Sequence, residues 1–119
     1  MPALFYTAFV FYTGLIRLPV LPEVGFVATD KLLHTLVFGG LALLIAVAVH
    51  GLRRAFPIEK KLSLGGLGAS LLGLLLELCQ SRVPYRSADV WDWVADTLGA
   101  LLAAGLALLV WRWRARSHA

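Results

Sequence analysis

Three long apolar runs, residues 32–52, 62–80 and 90–111, decide what this chain can fold into. A helix needs about 20 apolar residues to cross a bilayer core, and each run supplies roughly that length. A fourth stretch, residues 3–18, is rich in Phe and Tyr and closes on Arg17, Pro19 and Pro22. It is short for a span unless it continues toward Leu21. It lacks the basic start and small-residue cleavage site of a secretory signal, so it reads as a retained helix. The expected fold class is all-α, a small polytopic membrane four-helix bundle forming one domain over residues 1–119.

Composition points the same way. The chain is 60% hydrophobic and 15% charged, with a mean hydropathy of +0.81. A soluble domain is nearer half apolar and a quarter charged. The single Cys79 excludes an internal disulfide. A net charge of +4 would suit nucleic acid, but the basic residues flank the apolar runs. That pattern describes membrane topology, and no nucleic-acid partner is expected.

Seven of the eleven Lys and Arg residues fall in two places: Arg53, Arg54, Lys60 and Lys61 after the second run, and Arg112, Arg114 and Arg116 after the fourth. In a four-helix chain these regions share a side, which the positive-inside rule makes cytoplasmic. Both termini then lie inside, and the loops around residues 19–30 and 81–90 face outward. Trp111 and Trp113 read as anchors at the inner boundary, Trp91 and Trp93 at the outer one. Small residues in the third run (Gly65, Gly66, Gly68, Ala69, Ser70, Gly73) and the fourth (Gly99, Ala100, Ala103, Ala104, Gly105) read as packing stripes, because small side chains let helices approach closely in lipid. Gly66, Ser70 and Gly73 are expected to meet the Gly99/Ala103 stripe.

Six of the seven carboxylates gather at the other end. Asp30, Glu77, Asp89, Asp92 and Asp96 lie in or beside the apolar runs, and Glu23 lies in a connection. Lys31, His34, Gln80, Arg82 and Arg86 accompany them. Ionisable groups in bilayer segments are costly and usually face a bundle interior or a wet cavity. Helical spacing puts Lys31, His34 and Phe38 on one face, Ser70, Gly73, Glu77 and Gln80 on another, and Asp89, Asp92, Asp96 and Gly99 on a third. Three stripes at one depth can converge on a pocket. A structural reading competes: Lys31, Arg82 and Arg86 would neutralise the acids, Asp89 would cap a helix, and Gln80 would join two helices.

Several chemistries fit these residue types. His34 with Glu77 or Asp96 suits a general base and its orienting carboxylate, and Asp92 joins the same group. Lys31, Arg82 and Arg86 suit a clamp on a phosphate or carboxylate, Arg in bidentate fashion. Gln80, Asp30 and Asp89 belong with this binding set. Alternating acids and bases also suit a proton relay. His34 and the carboxylates include metal-ligand types, but no compact ligand motif is present and no metal site is assigned. No cofactor is specified. Ser70, Ser81 and Ser87 lack a nucleophile motif. His50 and His118, at the basic end, read as incidental.

One resemblance is specific. Asp30-Lys31-x-x-His34-x-x-x-Phe38, Glu77-Leu78-x-Gln80, Pro84-x-Arg86-x-x-Asp89-x-x-Asp92 and Ala95-Asp96-Thr97-x-Gly99-Ala100 occur in this order and together resemble the VanZ-like family over about residues 30–105. That family is named after a teicoplanin-resistance accessory protein. The resemblance marks Asp30, Lys31, His34, Glu77, Gln80, Arg86, Asp92 and Asp96 as signature positions. The family often carries Asn where this chain has Asp96, so this chain has one more carboxylate there. The resemblance implies a small multi-helix membrane protein, a cell-envelope connection and low-level glycopeptide tolerance. It implies no particular reaction.

Three functions compete. An outward pocket would bind or act on membrane lipids, either an anionic envelope lipid or a lipid-linked cell-wall intermediate. A non-catalytic scaffold or binding protein would use the polar cluster to hold its helices together. A small proton-coupled transporter would need polar groups across the midplane or broken helices, and the second and fourth runs are apolar there. An oligomer would relax that objection.

Overall fold

The computed structural model describes residues 2–15, 26–82 and 90–118, with side chains described for residues 2–12, 32–82 and 90–118. Four helices follow one another: α1 (Pro2–Leu15), α2 (Phe26–Leu52), α3 (Ile58–Gln80) and α4 (Val90–Ser117). There is no strand among the described residues. The last three helices are each long and apolar enough to cross a membrane. α1 has 14 residues. At about 1.5 Å per residue it is shorter than a hydrocarbon core.

The helices outrun the apolar stretches that announce them. α2 begins at Phe26 and takes in Asp30 and Lys31, α3 begins before Glu59, and α4 continues through Arg112, Arg114 and Arg116. Hydropathy marks only the lipid-facing length, whereas backbone hydrogen bonding continues into polar flanks. Pro57 starts α3 from an extended conformation, φ −64° and ψ 157°. Its carbonyl accepts from the N–H groups of Lys60 (3.1 Å) and Lys61 (3.2 Å). The short connection 53–57 therefore returns the chain directly, and α2 and α3 lie antiparallel.

α2, α3 and α4 each pack on the other two, and α1 lies against α2 and α3. The core between them is small: Val10, Phe38, Leu41, Ala42, Ala69, Leu76 and Ala100. Large apolar side chains such as Phe5, Leu36, Val47, Leu71, Leu101 and Leu106 stand exposed around the outside. This is the distribution expected when the surrounding solvent is lipid. The Tyr6 hydroxyl ties α1 to α2 by donating to the Val37 carbonyl at 2.8 Å.

Two glycines permit the closest approaches. A Cβ on Gly65 would strike the Ala42 carbonyl oxygen, and one on Gly99 would strike the Thr35 carbonyl oxygen. The Gly99 edge of α4 thus receives α2, and Gly39 of α2 lies against Gly99 and Ala103. This corrects the expected pairing. Gly73 and Ser70 of α3 do face α4, but they meet Asp96 and Thr97 rather than Gly99 and Ala103. One edge of α4 cannot serve two neighbours, so α3 takes the adjacent one.

Candidate functional site

The register of the helices sets which polar groups share a depth. His50 lies beside Lys61 and Phe38 beside Gly73. The same antiparallel register carries His34 to the level of Glu77, one turn beyond Gly73. Against α4, Gly73 meets Asp96, which brings Glu77 to the level of Asp92. His34, Glu77, Asp92 and Asp96 therefore lie at one end of the three-helix bundle, contributed by all three long helices.

A fully buried carboxylate anchors the group. Asp96 is 0% exposed, and Glu77 and Gln80 are also buried. The Asp96 Oδ1 lies 2.7 Å from His34 Nδ1, joining α4 to α2. A carboxylate only accepts, so Nδ1 carries the proton of this bond and the ring's orientation is fixed. The other nitrogen, Nε2, faces Asp92 Oδ2 at 3.9 Å. The ring also lies parallel to Phe38, with centroids 6.4 Å apart. Phe38 is almost wholly buried. The imidazole is therefore held by an acid at one edge and an aromatic ring beneath. Asp92 stands in the first turn of α4, where the helix dipole favours a negative charge.

Below this group lies a layer of which spacing singled out only Ser70. Ser70 Oγ and Thr97 Oγ1 are 2.8 Å apart, and Thr35 Oγ1 donates to the Ala95 carbonyl at 3.4 Å. Trp93 Nε1 donates to the Ser70 carbonyl at 3.0 Å. Trp93 thus turns its indole toward α3 rather than standing at the lipid interface, a correction to the anchor reading. An indole N–H at this depth is satisfied more readily by a helix carbonyl than by lipid. Trp91, Trp111 and Trp113 are exposed as expected of anchors. The sequence signal for the layer was slight: Thr97 follows Asp96, and Ser70 lies one turn before Gly73.

The binding set is described only in part. Arg82 is exposed just beyond α3, and its N–H donates to the Cys79 carbonyl at 3.2 Å. A cation there complements the negative end of the helix dipole. The backbone of Asp30 and Lys31 is helical, but their side chains lie outside the described residues, as do Arg86 and Asp89 altogether. Among the described residues no group of three or more His, Cys, Asp and Glu side chains is arranged to hold a metal ion.

The basic end holds a second feature. Lys61 is buried, and its Nζ donates to His50 Nδ1 at 2.9 Å and to the Arg54 carbonyl at 3.1 Å. His50 is thus a partner of a buried ammonium, not an incidental residue. The signal was hidden because the two residues lie on either side of a turn. Arg112 and Glu59 pair nearby at 3.4 Å, both about half exposed. Such a pair contributes little.

Three membrane-length helices with a buried acid paired to a partly buried imidazole at one end define a small polytopic membrane protein with a polar site set into an apolar bundle. The family model for VanZ/LLP1 matches residues 3–111. The chain belongs to this family, and the match takes in α1 as well as the blocks between residues 30 and 105. Neither the curated proteins nor the solved structures gave a match.

Proposed function

We propose that the polar end binds, and acts on, the phosphate-bearing head of an anionic envelope lipid or a lipid-linked cell-wall intermediate. The observation that carries this reading is the set of buried Glu77 and Asp96 with the partly buried His34, one group from each long helix, at one depth of an otherwise apolar bundle. Burying such groups is costly, and apolar packing would hold three helices without that penalty. Arg86, with Arg82 or Lys31, holds the phosphate. Gln80, Asp30 and Asp89 belong to the same binding set. Asp96 keeps the proton on His34 Nδ1, which leaves Nε2 as the basic nitrogen. Glu77 and Asp92 supply the neighbouring carboxylates between which a proton moves.

Orientation follows from charge. The Arg- and Lys-rich end is cytoplasmic by the positive-inside rule, so both termini lie inside and the site opens outward. We extend the proposal to glycopeptide tolerance, on the family resemblance, and teicoplanin is the compound to test. Mass spectrometry of lipids co-purified with wild type and Arg86→Ala tests the reading. A phosphate-bearing lipid should accompany the wild type and be lost from the variant. Equal lipid content in both would overturn it.

A second reading has one observation in its favour. The His34–Asp96 bond at 2.7 Å ties α2 directly to α4, as a purely structural cluster in a scaffold would. Glu77→Gln separates the two, because it keeps shape and hydrogen-bonding capacity while removing a charge. A scaffold tolerates that change and a proton-moving site does not.

A further inference from the structure

The basic end carries a groove that the polar site does not explain. It is about 270 Å³ in volume and runs between α2, α3 and α4. Leu43, Val47, Ile58 and Leu62 line it, and among the described residues Lys61 and His50 supply its polar side chains. Lys61 is 7% exposed. An ammonium this buried needs partners, and its two are neutral: His50 Nδ1 and the Arg54 carbonyl oxygen. The nearby carboxylate, Glu59, is engaged by Arg112 instead. An ammonium has three N–H groups, so the third is left for a further acceptor. Because His50 accepts at Nδ1, its own proton sits on Nε2, giving a second donor. Arg53, Arg54 and Lys60 stand exposed around them.

The geometry points to a specific site for an anionic glycerophospholipid of the leaflet at this basic end. One acyl chain lies in the groove, and the phosphate meets Lys61 and His50. Charge and shape both select that occupant. A neutral chain would fill the groove but leave the buried ammonium without a counter-charge. A free phosphate would neutralise the ammonium but leave the apolar walls uncovered. An anionic lipid satisfies both, and basic clusters beside membrane helices attract such headgroups. This site stands at the opposite end from the polar site and does not rest on the function proposed for it.

The test uses the full chain in nanodiscs of equimolar phosphatidylglycerol and phosphatidylcholine, with bound lipid read by native mass spectrometry after gentle release. Wild type should retain phosphatidylglycerol over phosphatidylcholine by about tenfold, the scale of one charge-assisted contact. Lys61→Met should abolish that preference. Val47→Trp, at an exposed groove position, should fill the groove and lose the bound lipid with Lys61 intact. It carries the test alone if Lys61→Met does not fold. Arg116→Gln changes net charge away from the groove and should retain the wild-type preference. No preference in wild type, or wild-type retention in Val47→Trp, would overturn the site. So would a loss in Arg116→Gln equal to that in Lys61→Met, since bulk charge would then be sufficient.

Discussion

Gly99→Ala is the sharpest test of how α2 and α4 meet. A Cβ there would strike the Thr35 carbonyl oxygen and lie 2.7 Å from its carbon and 2.8 Å from Thr35 Cα. All three obstacles are backbone atoms, so no side chain can rotate away. Ordinary carbon–carbon contact is about 3.5–4.0 Å, so the two helices must part by roughly 1 Å. The His34–Asp96 bond, 2.7 Å long, lies within a turn of the collision. A parting of roughly 1 Å takes it beyond the usual hydrogen-bond limit of about 3.2 Å. Overpacking costs about 1–3 kcal/mol, and a lost bond to a charged group about 1.5–3 kcal/mol. Better helix propensity returns at most about 1 kcal/mol. The net expectation is a loss of about 1.5–5 kcal/mol.

Gly105→Ala is the internal control, because a Cβ there meets nothing within 4 Å. It should be neutral or stabilising by up to about 1 kcal/mol. Unfolding of both variants in detergent, titrated with denaturing surfactant and followed by tryptophan fluorescence, gives the comparison. Equal midpoints for the two variants would refute the backbone-to-backbone contact, and with it the argument that Gly99 sets the spacing of the site.

Asp96→Asn keeps an acceptor for His34 Nδ1 and should cost under about 1 kcal/mol, whereas Asp96→Leu removes the Nδ1 acceptor at about 1–3 kcal/mol; identical unfolding midpoints would show that the pair holds nothing together. If the wild type confers teicoplanin tolerance on a sensitive host, Glu77→Gln should give folded protein that loses it, and Arg86→Lys should fail too, because Lys keeps the charge and loses the fork. Full tolerance in both would remove the proton and phosphate roles together. Single cysteines placed at positions 60 and 85 in a Cys79→Ser background test orientation: an impermeant thiol reagent should label position 85 in intact cells and spare position 60, and the reverse pattern would invert the topology.

Much of the architecture was legible because lipid imposes it. Runs of apolar residues with no helical amphipathicity leave few options but membrane helices, and the structure has three at those positions. The site was legible through the helical period. His34, Phe38, Gly73, Glu77, Asp92 and Asp96 were grouped by spacing, and the structure pairs His34 with Asp96 and stacks it on Phe38. Spacing shows which residues share a face but not which neighbour that face meets. Gly99 therefore appeared as a partner for α3 although α2 occupies it. Trp93 appeared as an anchor for the same reason. Whether an indole turns outward or toward a helix carbonyl depends on a neighbour that composition does not reveal.

The two ends of α2 show why histidine recurs in so apolar a chain. His34 and His50 are sixteen residues apart, about 24 Å along the helix, close to the thickness of a hydrocarbon core. Each meets the buried charged group at its own boundary. At the acidic end the imidazole faces a carboxylate and donates; at the basic end it faces an ammonium and accepts. A neutral imidazole can do either, since one nitrogen carries a proton and the other a lone pair. Arg and Lys could only have donated, and an ionised Asp or Glu could only have accepted. In both places the bond fixes the tautomer: Nε2 of His34 is left beside Asp92, and Nε2 of His50 carries the proton.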